Sequence, residues 1–310
     1  MEHKYILSVD IGGSKLMAGI IDYHKGSIIL KESIPLKAVI TEDYLVERIL
    51  FIIKNLLRRC PEINASCIGV SVPGTADSKK GVLIYACYSG IRNFEIGKIL
   101  KEQFHIPVFV ENDVNSCAFG EKIFGSCRGI NDFIWITVSN GVGGALVLNG
   151  ELYEGSFQGA GEIGHINVVG DGYMCGCGNK GCLEAYAAGP GIVRRYKEKT
   201  QNHLKEITAK IIAEEAKKGD KLALEIYRET GYFLGKAISY AVNIINPQKV
   251  ILGGGVSMDI DLFLPEINNI VEKMAFKDPN KKLSIEKTAL SYEAALIGAA
   301  AIAKFRFEGI

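Results

Sequence analysis

The chain has 310 residues, 48% of them hydrophobic and 23% charged, which excludes a disordered or fibrous polypeptide and is enough to bury a sizeable core in one large or two ordinary domains. With 36 basic residues against 35 acidic ones, a net charge of +1, it has no polycationic face, which argues against nucleic acid as the main partner.

At the N-terminus, MEHKYILSVD lacks the cationic and long apolar regions of a secretory leader, and no stretch approaches the roughly 20 apolar residues that span a bilayer. Tyr5 to Asp10 reads as a strand, followed by the turn Ile11-Gly12-Gly13-Ser14, a second strand Leu16 to Ile21 and a turn at His24-Lys25-Gly26, together a β-hairpin. Gly12 and Gly13 let backbone approach phosphate oxygens, Ser14 and Lys15 add donors, and Asp10 is placed to hold a cation through water; a plain hairpin turn is the other reading. From Thr41 to Arg59, Leu45, Ile49, Ile52, Ile53, Leu56 and Leu57 fall at helical spacing behind a Thr41 cap and the acidic Glu42 and Asp43.

Cys67 to Val72 is a buried strand that ends at Pro73-Gly74. Val108 to Val110 is another, ending at Glu111-Asn112-Asp113 before a helix marked by Ala118, Phe119, Ile123 and Phe124. Asp113 heads that helix either as its N-cap or as an acid with a proton to take. Phe133 to Val138 repeats the opening pattern, with Asn140-Gly141-Val142-Gly143-Gly144, the run Ala145 to Leu148 and a turn at Asn149-Gly150. The chain therefore reads either as a duplication whose second half starts near residue 130 or as two unrelated glycine turns. Asp220 to Asn246 is a long helix stopped by Pro247, and the strand Val250 to Leu252 runs into Gly253-Gly254-Gly255. Strands alternating with helices give an α/β fold with polar turns past strand C-termini, and three glycine turns suggest a nucleotide held between two lobes.

Five cysteines (Cys60, Cys67, Cys87, Cys117 and Cys127) are scattered without the spacing of a disulfide frame, as expected of a reducing cytoplasm. The rest cluster. His165, Cys175, Cys177 and Cys182 supply the four ligand types that tetrahedral zinc prefers, and glycines 176, 178 and 181 let three thiolates meet one ion. A closed Cys3His set leaves no position for water, so such a zinc is structural; a redox pair or chance clustering is the alternative. Glu162 and Glu184 bracket the cluster, and their carboxylates suit a polyhydroxylated ligand.

In this order, DIGGSK, the Pro73-Gly74 pair, ENDVN, GVGG, GEIGH, CGCGNKGC and Leu183-Glu184 closely resemble the ROK family of bacterial sugar kinases and repressors, from Asp10 to the segment Ala294 to Phe305. The resemblance implies a duplicated, two-lobed actin-like ATPase fold, related to hexokinase and ribonuclease H, with a zinc-bound loop. Its small lobe would cover residues 1–115, completed by a helix over 294–310, and its large lobe residues 116–293 with the zinc motif. It also implies ATP, Mg2+ and structural Zn2+ as cofactors, a sugar as partner, and a homodimer.

Asp113 looks like the family's general base, and Gly74, Asn112, Asp113, Glu162, His165 and Glu184 match positions that bind the hexose. Asp10, Gly12, Gly13, Ser14 and Lys15 resemble the first phosphate loop, and Asn140, Gly141, Gly143 and Gly144 the second. Gly254 and Gly255 belong to a segment like the adenosine motif. The resemblance makes His165 serve twice, one nitrogen on zinc and the other toward a sugar hydroxyl.

Two departures stand out. Asn140 replaces the threonine usual in the second phosphate loop, and Val82 to Gly90 lacks the usual Asn-Leu pair in a region that helps line the family's sugar site. The expected activity is an ATP-dependent hexose kinase, foremost a glucokinase acting on the 6-hydroxyl. N-acetylmannosamine, N-acetylglucosamine, allose or a β-glucoside is the alternative acceptor. A sugar-responsive repressor is the competing class, disfavoured because only nine residues precede Asp10, too few for a helix-turn-helix domain, and a sugar-binding regulator without a DNA-binding domain is disfavoured because Asp10, Asp113 and the glycine turns are all present.

Overall fold

The computed structural model describes residues 4–86, 88–200 and 206–309; Cys87 lies outside them. The chain separates into two compact units, Met1–Gly129 with Tyr292–Ile310, and Ile130–Ser291.

In the first unit, β1 (Tyr5–Ile11), β2 (Lys15–Asp22) and β3 (Ile28–Pro35) form an antiparallel meander, and α1 (Glu42–Arg59) leads to β4 (Ala65–Val72). Three short strands, β5 (Thr75–Asp77), β6 (Val82–Tyr85) and β7 (Arg92–Phe94), make a small separate sheet before α2 (Ile96–Phe104), β8 (Val108–Asn112) and α3 (Asp113–Ile123). The main sheet runs β3-β2-β1-β4-β8, with β4 parallel to β1 and β8 parallel to β4. β1, β2 and β4 are buried on both faces because their apolar runs are nearly unbroken. On one side of α1, Leu45, Ile49, Ile52, Ile53 and Leu56 are fully buried, and Thr41 Oγ1 accepts from Tyr44 N at its start.

The second unit repeats the plan. Strands β9 (Phe133–Val138), β10 (Val142–Leu148) and β11 (Glu151–Leu152) form the meander. Helices α4 (Glu184–Ala187), α5 (Gly189–Thr200), α6 (Ala209–Lys217) and α7 (Lys221–Ile245) follow, then β12 (Lys249–Gly253), α8 (Leu264–Met274) and β13 (Ser284–Lys287). The sheet order β11-β10-β9-β12-β13 has the same polarity as the first, with β12 parallel to both β9 and β13. Asp220 caps α7 by accepting from Ala223 N, and Asn246, at φ 53°, turns the chain out of the helix one residue before Pro247.

After the second unit the chain returns to the first as α9 (Ala294–Glu308). Leu296, Ala300 and Ala303 pack against Ile6, Met17, Ile21 and Tyr23. The division falls after Gly129, close to the start near residue 130 that the duplication reading gives and beyond the 1–115 bound that the resemblance implies, and α3 stays with the first unit because it rides on α9: Phe119 meets Phe305 edge to face at 4.8 Å. At Gly298 the two helices come so close that a Cβ would sit 2.1 Å from Ser116 O. Among the described residues, no helix is long and apolar enough to cross a membrane.

That close approach makes Gly298→Ala a test of the α3–α9 contact. The added methyl should destabilise the first unit by about 1–3 kcal/mol, read as a lower urea midpoint.

Candidate functional site

The first unit gathers its share of the candidate residues at the C-terminal ends of β1, β4 and β8. The β1–β2 turn is closed by Gly12 N donating to Lys15 O at 2.9 Å, with Gly13, Ser14 and Lys15 exposed. Asp10 pairs in register with Ser71 on β4. Burial, and after it the charge of Asp113, pushes its carboxyl up to about 7 against the opposing pull of the Ser71 hydroxyl and Lys15.

At the end of β8, Asn112 rather than Asp113 is the N-cap of α3: its Oδ1 accepts from Val114 N at 2.9 Å and Asn115 N at 3.1 Å. Its Nδ2 donates to Gly74 O at 2.8 Å and to Asp113 Oδ1 at 3.0 Å, so the amide's two donor hydrogens and two acceptor sites are all engaged by the protein. The reason is local, since a cap needs a β-region backbone before the helix and Asn112 is the last strand residue. Asp113 thereby becomes the first helical residue, its Oδ1 also accepting from Val114 N at 2.9 Å. Burial pushes the Asp113 carboxyl up to about 6, while those amide donors hold it down. Gly74, at φ 101°, closes the group. A Cβ there would lie 2.2 Å from Tyr85 O.

Two residues outside the sequence-derived set hold this turn. Glu111 is 1% exposed, and its Oε1 accepts from Asn112 N at 2.9 Å and Asn115 Nδ2 at 3.1 Å. Its Oε2 takes Arg306 Nη2 of α9 at 2.5 Å, and Arg306 Nη1 donates to Val110 O at 3.1 Å.

In the second unit, the β9–β10 turn is closed by Ser139 N donating to Gly141 O at 2.9 Å, and Asn140 is exposed at its tip. Gly254, at φ 87°, lies against Val138 O, and Gly255 faces Ser139 Oγ, so the third glycine segment abuts the second phosphate-loop candidate. Gly144 on β10 meets Gly161 back to back, and Gly143 is the residue before it. Glu184 comes to the same turn and accepts from Val142 N through Oε2 at 3.0 Å.

His165, Cys175, Cys177 and Cys182 converge, with their ligand atoms all within 4.8 Å of one another. His165 Nδ1 is 3.7 Å from Cys175 Sγ, and Cys177 Sγ is 3.7 Å from Cys182 Sγ. Zinc–sulfur bonds of about 2.3 Å in a tetrahedron put sulfurs about 3.8 Å apart, so the donor set fits that ion. The ring's other nitrogen, Nε2, faces Glu162 Oε2 at 3.8 Å. Asn167, absent from the sequence reading, staples the loop by donating to both Gly170 O and Lys180 O at 2.8 Å. Tyr186 accepts from Tyr173 N at 2.8 Å, and the buried Arg195 holds the Tyr186 carbonyl from below.

A family model described as ROK family matches residues 6–306. The chain belongs to the ROK family. Its relatives are of two kinds. The DNA-binding transcriptional dual regulator NagC of Escherichia coli K12 is 34% identical over 269 residues, 85% of this chain; the chain spans 66% of that regulator's length, just under two thirds. The glucokinase of Streptomyces coelicolor is 30% identical over 314 residues, covering 96% of this chain and 97% of that enzyme. Among solved structures, a ROK family glucokinase from Streptomyces griseus in complex with glucose and AMPPNP superposes with a TM-score of 0.84 at 30% identity, covering 97% of this chain and 99% of that one. The α/β fold is thus that of ROK kinases, within the actin-like ATPases.

In this ROK chain, removing Arg306 would strand a buried carboxylate. Arg306→Ala should cost about 3–5 kcal/mol, measured by chemical denaturation, with Glu111→Gln in the same background recovering part of the loss. For the thiol cluster, Cys182→Ser should lower zinc content and speed proteolysis between 165 and 184; zinc-free protein after purification in zinc-supplemented medium would refute the assignment.

Proposed function

We propose that the chain is an ATP-dependent hexose kinase, foremost a glucokinase transferring the γ-phosphate to the 6-hydroxyl of glucose. The observation that carries this reading is Asp113, a carboxyl of raised proton affinity held at the start of α3 by Asn112 and backed by the buried Glu111. A carboxylate whose pKa is near 6 is a competent base for a sugar hydroxyl close to neutrality. Similarity over nearly the whole chain to glucokinases supports the acceptor class.

Asp113 accepts the hydroxyl proton as the sugar oxygen bonds to the γ-phosphorus of ATP and the bond from that phosphorus to the β–γ bridging oxygen breaks, releasing ADP. Gly74 and Asn112 hold Asp113 in place, and Asn112 reaches the sugar by giving up one of its present bonds. Glu162, His165 and Glu184 supply hydroxyl-binding groups on the second unit, with His165 offering Nε2 while Nδ1 faces the thiols. Gly12 to Lys15 and Asn140 to Gly144 present backbone amides and short polar side chains to phosphates, and Gly254 and Gly255 leave room for adenosine. Asp10 would hold Mg2+ through water, a fit supported by the Asp113 charge raising the proton affinity of the Asp10 carboxyl, a repulsion that a cation there would relieve. Mg2+, when bound, neutralises the charge on the transferring phosphate. His165, Cys175, Cys177 and Cys182 would hold structural Zn2+, which would clamp the loop between Glu162 and Glu184.

The identity with NagC favours a second reading, a sugar-responsive regulator that keeps the sugar site. ADP release separates the two. With Mg-ATP and a panel of glucose, mannose, allose, N-acetylglucosamine, N-acetylmannosamine and a β-glucoside, a kinase turns over at least one sugar, whereas a regulator binds a sugar without consuming ATP.

Asp113→Asn should lower kcat by about 10²–10⁴-fold and leave sugar affinity within a few fold, because it removes the base and keeps the shape. In the wild type the base works only when ionised. Acidification through about pH 6 should therefore reduce kcat/KM, with a plateau above it; an acid limb near pH 4 would contradict the assignment.

A further inference from the structure

The Glu184 carboxylate does more than a sugar ligand needs. Its backbone is set by the fully buried Leu183, whose amide donates to Ile166 O at 2.9 Å, and by its place as the first residue of α4. From there Oε2 reaches Val142 N at 3.0 Å, the first amide of β10 after the Asn140-Gly141 tip. The carboxylate passes close over Gly141, where a Cβ would lie 2.7 Å from Oε2 and push it aside. Gly164, in the segment that also carries Glu162 and His165, closes on the same residue from the other side: a Cβ there would lie 2.0 Å from Val142 O. Val142 is therefore held at its amide by Glu184, while its carbonyl packs against Gly164, the residue between Ile163 and His165. Oε1 lies 3.7 Å from Cys175 Sγ, and the carboxylate retains acceptor capacity for a hydroxyl.

We infer that Glu184 is a positioning residue for the nucleotide turn, and that through Val142 the sugar-binding carboxylate sets the shape in which residues 140–144 receive phosphate. The inference rests on the kinase reading. A carboxylate that merely binds sugar has no effect on nucleotide affinity when sugar is absent; one that holds the turn does. The same bond gives sugar and nucleotide a route of mutual influence, because a sugar drawing on Oε1 loads the group that anchors the phosphate turn.

The test is calorimetric titration of Mg-AMPPNP into zinc-replete protein without sugar, for wild type, Glu184→Ala, Glu184→Gln and Glu162→Gln. Glu184→Ala should weaken nucleotide binding by about tenfold, the loss of one charge-assisted hydrogen bond. Glu184→Gln keeps an oxygen for Val142 N and should stay within about threefold of wild type. Both variants should lose glucose affinity in a parallel titration. Glu162→Gln should lose glucose affinity alone, since Glu162 is exposed and faces His165. If Glu184→Ala does not fold, Glu184→Asp, one methylene too short to reach Val142, serves instead with the same expected weakening. Sugar-free nucleotide affinity unchanged in Glu184→Ala or Glu184→Asp overturns the inference and leaves the kinase reading intact. A wild type that binds no nucleotide overturns both.

Discussion

A carboxylate with 1% of its surface exposed stays ionised only if a cation or several donors compensate its burial, and the turn carrying Asp113 is organised around that requirement at Glu111. Arg306 meets one oxygen, and the Asn112 amide and Asn115 side chain share the other. Because Arg306 also donates to Val110 O, strand β8, the start of α3 and the face of α9 are tied through a single guanidinium. The planar fork suits this task, as a lysine ammonium would not bridge a carboxylate and a carbonyl with the same geometry. Asp113 inherits its position from this arrangement, through Asn112, and its raised proton affinity follows from being held where water is scarce.

The two units solve the placement of a glycine-rich turn differently. In the first, side chains do it: Asn112 engages all of its amide capacity in joining β8, α3 and Gly74. In the second, backbone meets backbone, at the Gly144–Gly161 contact and where Gly254 rests on Val138 O, and a single carboxylate supplies the missing acceptor. The cysteine loop beside it combines main-chain bonds, such as Cys175 N to Asn179 O and Val168 N to Gly181 O, with side-chain staples from Asn167 to Gly170 O and Lys180 O, from Lys236 to Val168 O and from Tyr173 N to the Tyr186 hydroxyl. Glycine is abundant in this unit for reasons of packing as much as of ligand access.

Much of the architecture is legible from local pattern. Helices α1 and α7 announce themselves by apolar spacing and by Thr41 and Asp220 caps, and the four metal-ligand candidates by their spacing alone. The ROK motifs likewise read through to the family. Strand β3 escapes because Lys31 and Glu32 interrupt its apolar run, and even its inner face is only half-buried. The sheet of β5, β6 and β7 escapes because strands of three or four residues carry too little periodicity to register. The choice between Asn112 and Asp113 as the cap turns on where β8 ends, the kind of boundary that pattern locates least well. Arg306 could not be linked to Glu111 at all: 195 residues separate them, and no local rule spans such a distance.

The return of α9 to the first unit has a consequence for the order in which the protein is made. Synthesis runs from the N-terminus, and a domain that is contiguous in sequence can fold as it emerges. Here the sheet β3-β2-β1-β4-β8 leaves the ribosome with the surface that takes Leu296, Ala300 and Ala303 still uncovered, and with Glu111 still lacking its cation. The whole second unit must be translated before either is satisfied. The half of the molecule that is born first is thus completed last, and the turn bearing Asp113 takes its final form only once the second unit has been threaded out behind it.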